Sequence, residues 1–273
     1  MLQKALLFLF GVKVALVSCH FEEKYEGLEK DKFRIEKLGK LHKAVDECSG
    51  LALADDPEHL LALNDSGGEP VLYEVTKKGK LAATRPVAEA QNVDWEEVCK
   101  DDKGQIYIGD FGNNDSKRKD LLIYKLTKNG TQKIHFSYPE QVEGKKEYDC
   151  EAFFWANDSL YLFTKSWESG VKVCRLYTLS DQAGTQVAKL KDEIWLKAQI
   201  TAAALSPAKN QFALLSYGKL FLFGIKDNNI AFNLPQNCIK IAKKQTEAII
   251  YETPTRLIFS NEQGGLFCMD LEN

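Results

Sequence analysis

Residues 96–139 read EEVCKDDKGQIYIGDFGNNDSKRKDLLIYKLTKNGTQKIHFSYP. Four short runs stand out, EEVCKD from Glu96, QIYIGD from Gln105, LLIYKL from Leu121 and QKIHFSYP from Gln132. They are rich in apolar, β-branched and aromatic residues, and turns bearing Gly, Asn and Asp separate them. That pattern describes a meander of short antiparallel strands. The opening run has four counterparts elsewhere: SGLALA from Ser49, EAFFWA from Glu151, TAAALS from Thr201 and EAIIYE from Glu247. The spacings from Ser49 through Glu96, Glu151 and Thr201 to Glu247 are 47, 55, 50 and 46 residues. Each unit continues with a second run (HLLALND, QIYIGD, SLYLFTK, QFALLSY, RLIFSNE) and a third (VLYEVT, LLIYKL, VCRLYTL, KLFLFGI, GLFCMDL). Units one to four have room for a fourth, such as KLAATRPV from Lys80.

A β-rich unit repeated about every 40–50 residues is the signature of a β-propeller. The sequence therefore predicts an all-β chain: a five-bladed propeller with four-stranded antiparallel blades over residues 33–273. The fifth unit stops after its third strand, whereas RIEKLGKL from Arg34 precedes the first unit without a place in it. This N-terminal strand is expected to complete the last blade and close the ring, which removes exposed sheet edges.

Composition agrees. The chain has 273 residues, 44% apolar and 27% charged, with a formal net charge of −3. These values exclude disorder, collagen-like sequence and a multi-span membrane protein. A slightly acidic chain also lacks the clustered Lys and Arg that displace counterions from nucleic acid, so nucleic acid is not an expected partner. Cys48, Cys99, Cys150, Cys174, Cys238 and Cys268 lie in strand-like runs and read as small buried residues, with a single bridge left open. His20, His42, His59 and His135 show no metal-ligand spacing.

In a propeller the first strand of every blade lines the axis, so equivalent positions converge however far apart they lie in sequence. The converging set is Ser49, Glu96, Glu151, Thr201 and Glu247, with Glu97 an alternative to Glu96. Period-two alternation adds Glu47, Asp94, Asp149, Gln199 and Gln245 as a second layer. Carboxylates crowded on one axis repel each other, raising their pKa values or holding water or a cation between them. A hard divalent cation is the expected solution and a water-filled channel the alternative. Calcium, which accepts six to eight oxygens, fits this set better than magnesium or zinc. A second polar group gathers where the second strands end: Asn64, Asp65, Asp110, Asn113, Lys165, Tyr217, Asn261 and Glu262. These residues are expected to face a ligand at the axial mouth, although Asn and Gly there also suit tight turns. Lys165 and Arg118 could neutralise an anion or pair with nearby acids.

The N-terminus carries an address. Ala5 to Val17 is mostly apolar, follows Lys4, and ends in Leu16-Val17-Ser18-Cys19. It is shorter than a transmembrane helix and resembles the lipobox of bacterial lipoproteins. The resemblance implies a signal peptide over 1–18, lipid attachment at Cys19 and a charged tether over 19–32. The expected location is the bacterial cell envelope, with the lipid anchor making the membrane a partner and the outer membrane the expected site.

Two further resemblances rest on motifs. NDSG, DWEEV…IYIGDFGNN with Arg118 and LLIYKL, YDCEAFF…LYLFTK, ITAAALSP…ALLSY and QTEAIIY…LIFSNEQGGLF resemble a family of uncharacterised exported bacterial propellers. This likeness runs from about Cys48 to Met269 and implies a fold without an activity. The axial ring of Ser49, Glu96, Glu151, Thr201 and Glu247 is similar to the calcium ligands of calcium-activated nucleotidases (apyrases), which implies calcium. A looser similarity is to phytase propellers. Motifs such as GxSxG and Cys–His arrangements are missing. The leading expectation is therefore a calcium-bearing module that binds a small-molecule or protein ligand. The alternative is a calcium-dependent phosphohydrolase, in which Lys165 and Arg118 grip phosphate and Asp94 or Asp149 is the base. A glycosidase using two axial carboxylates ranks third.

Overall fold

Strands such as DCEAFFWA carry apolar residues at neighbouring positions instead of alternating them, so both faces of the sheet must be covered. A computed structural model, described over residues 33–142, 145–167, 172–241 and 245–271, shows how. The expected signal peptide, Cys19 and the tether lie outside the described residues.

β1 (Ile35–Lys40) comes first and waits for the last blade. Blade 1 is β2 (Cys48–Leu53), β3 (His59–Asn64), β4 (Val71–Thr76) and β5 (Leu81–Pro86). Blade 2 is β6 (Trp95–Lys100), β7 (Ile106–Asp110), β8 (Leu122–Thr127) and β9 (Gly130–Ser137). Blade 3 is β10 (Asp149–Ala156), β11 (Ser159–Lys165) and β12 (Lys172–Ser180), then a short β13 (Gly184–Val187), then β14 (Lys189–Leu196). Blade 4 is β15 (Ile200–Leu205), β16 (Gln211–Ser216), β17 (Lys219–Gly224) and β18 (Pro235–Lys240). β19 (Thr246–Thr253), β20 (Arg256–Asn261) and β21 (Gly265–Asp270) form blade 5, and β1 completes it by pairing antiparallel with β21. The predicted five-bladed ring and its closure by an N-terminal strand are thus what the chain forms.

One strand departs from the simple repeat. β13 leaves blade 3 and pairs in parallel with β9, adding a fifth strand to the outer edge of blade 2.

Adjacent blades pack face to face, and five apolar clusters fill the five junctions. Between blades 3 and 4, Phe163, Phe212, Phe223 and Phe232 interlock, with the Phe212 and Phe223 rings stacked 5.0 Å apart. Strands near the axis are therefore buried on both sides: every residue of β10 is buried, whereas every residue of the outer β5 is exposed. Aromatic surface buried this way dominates the stability of the ring. Cys48, Cys150, Cys174 and Cys268 are buried free thiols and Cys99 is a half-buried one, as packing residues would be. Cys238 differs, being disulfide-bonded.

Candidate metal centre at the propeller axis

The innermost strand of each blade carries an irregularity at one repeated place. Pairing with the second strand slips between Cys48 and Gly50, Trp95 and Glu97, Cys150 and Ala152, Ile200 and Ala202, and Thr246 and Ala248. The residues passed over are Ser49, Glu96, Glu151, Thr201 and Glu247. Each expected ring residue is the extra residue of a β-bulge, a device that redirects a side chain out of the regular pleat. The five positions are structurally equivalent, but the residues that fill them do different work.

Two members are stitches between blades. Ser49 Oγ donates to the Trp95 carbonyl at 3.1 Å, and Thr201 Oγ1 donates to the Thr246 carbonyl at 2.7 Å. In each case the acceptor is the first turn-in residue of the next inner strand.

Two more are compensated. Glu151 forms an ion pair with Lys165 (2.9 Å), both side chains being almost completely buried. The Lys165 ammonium also lies 4.5 Å from the Trp167 ring centre and 5.5 Å from that of Tyr217. Burial disfavours its charge, but Glu151, Tyr217 and Glu247 together raise its pKa above the usual lysine range. Glu247 is hydrogen-bonded to the Tyr217 hydroxyl; burial nevertheless pushes its pKa up to about 7 against the pull of Lys165. Glu262, hydrogen-bonded to Glu247, sits at the rim and also accepts from Gln245 Nε2 at 2.7 Å.

Glu96 remains. It is 4% exposed and makes no hydrogen bond or ion pair among the described residues. Burial first, and then the charges of Glu151, Asp65, Asp149 and Asp94, raise its pKa well above the ordinary range. One oxygen each from Glu96, Asp94 and Asp65 lies within 4.8 Å of the others. Burial and Asp65 push Asp94 up to about 6, and burial raises Asp65. Gly112, in the loop after β7, closes over this group. A Cβ there would press on Glu96 Oε1 and the Asp94 carboxylate, so a larger residue would push these acids out of their present arrangement.

The grouped oxygens therefore come from one ring member (Glu96), one residue of the preceding layer (Asp94) and one loop residue (Asp65), not from the symmetric ring. Of the other residues in that layer, Asp149 is fully buried, whereas Glu47 and Gln245 are exposed and Gln199 is half-buried. Asp149 accepts from the Asn113 amide at 2.7 Å and from Trp167 Nε1 at 2.5 Å. Glu97, the alternative ring member, lies deeper on the axis. Its carboxyl accepts from the backbone N–H of Val98, Ala203 and Leu51, spanning three inner strands, while burial raises its pKa.

Several expected ligand-facing residues are engaged in holding loops. Asn64 Nδ2 donates to the Ala44 carbonyl and to Asp46, Asn113 Oδ1 accepts from the Arg118 amide, and Asn261 Oδ1 accepts from the Gly265 amide. Arg118 is likewise occupied, pairing with Asp110 (3.0 Å) and Asp120 (3.2 Å) and donating to the Gly112 carbonyl. Asp110 is fully buried, and among the described residues its Oδ2 has no hydrogen-bond partner. Of the second polar set, Asp65 joins the acid cluster, whereas Lys165 and Tyr217 contact the ring members Glu151 and Glu247. Trp167 was not foreseen; it is 40% exposed at the mouth, and its indole holds Asp149 while facing Lys165.

No family model matches the chain, and no curated protein does either. Solved structures do. A protein of unknown function from Bacteroides thetaiotaomicron VPI-5482 superposes with a TM-score of 0.50 at 9% identity, over 88% of this chain and 76% of that one. The β-propeller domain of Cps50 (Swd1) from Myceliophteria thermophila gives 0.46 at 9% identity, over 88% of this chain and all of that one. Likeness at this level of identity concerns the fold alone, and by its five sheets the chain is a five-bladed β-propeller.

Proposed function

We propose that this propeller is a binding module that holds one divalent cation, calcium by its donor chemistry, at Asp65, Asp94 and Glu96, and presents it to a ligand at the axial mouth. The observation that carries the reading is Glu96, a buried carboxyl with no donor facing it among the described residues and two further carboxylates beside it. Burying ionised carboxylates without a counter-charge is costly, and a cation removes the cost. Calcium takes carboxylate oxygens in flexible geometry, which suits acids brought together from an inner strand and a loop. Lys165 already serves as the cation for the Glu151 side of the ring, so a single added ion balances the other side. The lipobox-like sequence supports placing the module at the cell envelope.

Binding is favoured over phosphohydrolysis because Lys165 and Arg118 have their donors committed to Glu151, Asp110 and Asp120. Asp149, one of the two candidate bases, has both oxygens hydrogen-bonded.

The test is thermal unfolding and calorimetry of the full chain with calcium, magnesium and EDTA. Calcium at a hundred times its Kd should stabilise the protein by about 2.7 kcal/mol. Glu96→Gln and Gly112→Ala should each abolish that gain without unfolding the ring. A wild-type protein that binds no calcium and shows no shift overturns the reading.

A further inference from the structure

The axis has a second opening. Below the Glu97 carboxyl, at the end where the inner strands finish, lies a cavity of about 320 Å³. Its walls include Leu51, Val98, Phe154, Leu205, Ile249 and Tyr251, contributed by all five blades. Its rim is different in kind. Lys100 and Lys209 line it, each held in an ion pair with an acid, Asp55 and Asp102 respectively. Both ammonium groups are paired, but their partners lie on the solvent side. The Lys100 side chain is 19% exposed and its partner Asp55 79%, while Lys209 is 33% exposed and Asp102 61%. Ion pairs with so exposed a partner exchange readily for another anion. Lys209 is further fixed 5.2 Å from the centre of the Trp155 ring, which also lines the cavity. Ser206 lies buried in the same wall. Its Oγ accepts from the Ala208 amide at 3.4 Å, and among the described residues its own proton has no acceptor.

An apolar chamber whose entrance carries two lysines with solvent-exposed partners, and an unspent hydroxyl donor, matches one ligand chemistry. We propose that this cavity binds a small carboxylic acid whose apolar body fills the axis and whose carboxylate rests at Lys100, Lys209 and Ser206. At about 30 Å³ for each water-sized group, the volume holds about ten non-hydrogen atoms, the size of an eight-carbon acid. It falls at the small end of ligand pockets generally. The two ends of the axis then have opposite preferences, with a cation at the acidic mouth and an anion at the lysine-bearing rim. None of the side chains invoked belongs to the acid cluster, so this site stands whether or not calcium binds at the other end.

The test is calorimetric titration of the full chain with octanoate, octan-1-ol and octylamine, which share a body and differ in head group. Octanoate should bind at least about tenfold more tightly than the alcohol, as a charge-assisted contact requires, and the amine should not bind. Lys100→Met with Lys209→Met retains the apolar stems and should reduce octanoate to the affinity of the alcohol. Leu53→Trp, at a part-exposed position of the mouth, should weaken acid and alcohol together. Octanoate binding no tighter than the alcohol, or unchanged in the double variant, or undetectable in wild type, overturns the proposal.

Discussion

Replacing Glu247 by glutamine should stabilise this protein at alkaline pH, although it removes an acid whose ionised form the nearby Lys165 favours. Glu247 is the bulge residue of β19, largely buried, with its pKa raised from 4.5 to about 7. The unfolded chain releases this proton near pH 4.5, whereas the native protein keeps it until near pH 7. Across that window the native state binds more protons than the unfolded state, so the wild-type protein loses stability as pH rises. A shift of about 2.5 units, at about 1.36 kcal/mol each, amounts to about 3 kcal/mol once both states are ionised. Glutamine resembles the protonated side chain, still accepts from the Tyr217 hydroxyl, and does not titrate. The variant should therefore match wild type at pH 4 and exceed it by about 3 kcal/mol at pH 8. Urea unfolding in EDTA, followed by tryptophan fluorescence at several pH values, measures this difference directly. A difference that stays constant with pH, or a variant weaker than wild type at pH 8, refutes the reasoning.

Asp181→Ala should be among the most damaging single changes outside the axis. Asp181 is buried and accepts from the Tyr107 hydroxyl and Trp155 Nε1 at 3.1 Å each, with Lys125 Nζ 3.4 Å away. Removing its carboxylate leaves the buried Lys125 ammonium with the Asp181 carbonyl but no counter-charge, and chemical denaturation should show a loss of about 3–5 kcal/mol; a loss below about 1 kcal/mol contradicts this. Ser49→Ala and Thr201→Val should each cost about 1 kcal/mol in the same assay, by leaving a carbonyl of the next blade unpaired. Both should bind calcium as wild type does. A loss of calcium affinity in either would restore the symmetric ring as the donor set.

The sequence disclosed the fold because propeller blades cover each other. Burial on both faces turns each inner strand into a compact apolar run, and five such runs at nearly equal spacing are visible without coordinates. The ring positions were legible for the same reason, since the bulge recurs with the repeat and marks equivalent residues. What the repeat could not disclose was anything that breaks the symmetry. Asp65 reaches the cluster from a loop, and Lys165 singles out Glu151 from among the acids. Glu97 faces the axis beside Glu96 because the bulge between Trp95 and Glu97 interrupts the alternation that would have separated them. Asn64, Asn113 and Asn261 looked alike as polar loop residues, yet each is engaged in local hydrogen bonding. Pairings of this kind depend on which side chain is nearest, and periodicity carries no information about distance.

The strand lent by blade 3 to blade 2 has a consequence for how the ring folds and associates. β9 would otherwise end blade 2 with an open row of backbone donors and acceptors, the kind of edge on which another chain can template. β13 occupies that edge, and the Ala188 amide extends the contact to the Ser137 carbonyl. Blade 2 is thus left without its outermost strand until residues 184–187 have formed theirs, so blades 2 and 3 mature as one cooperative unit. Shortening the connection between β12 and β14 would expose the neighbouring blade, and the first sign would be self-association through β9.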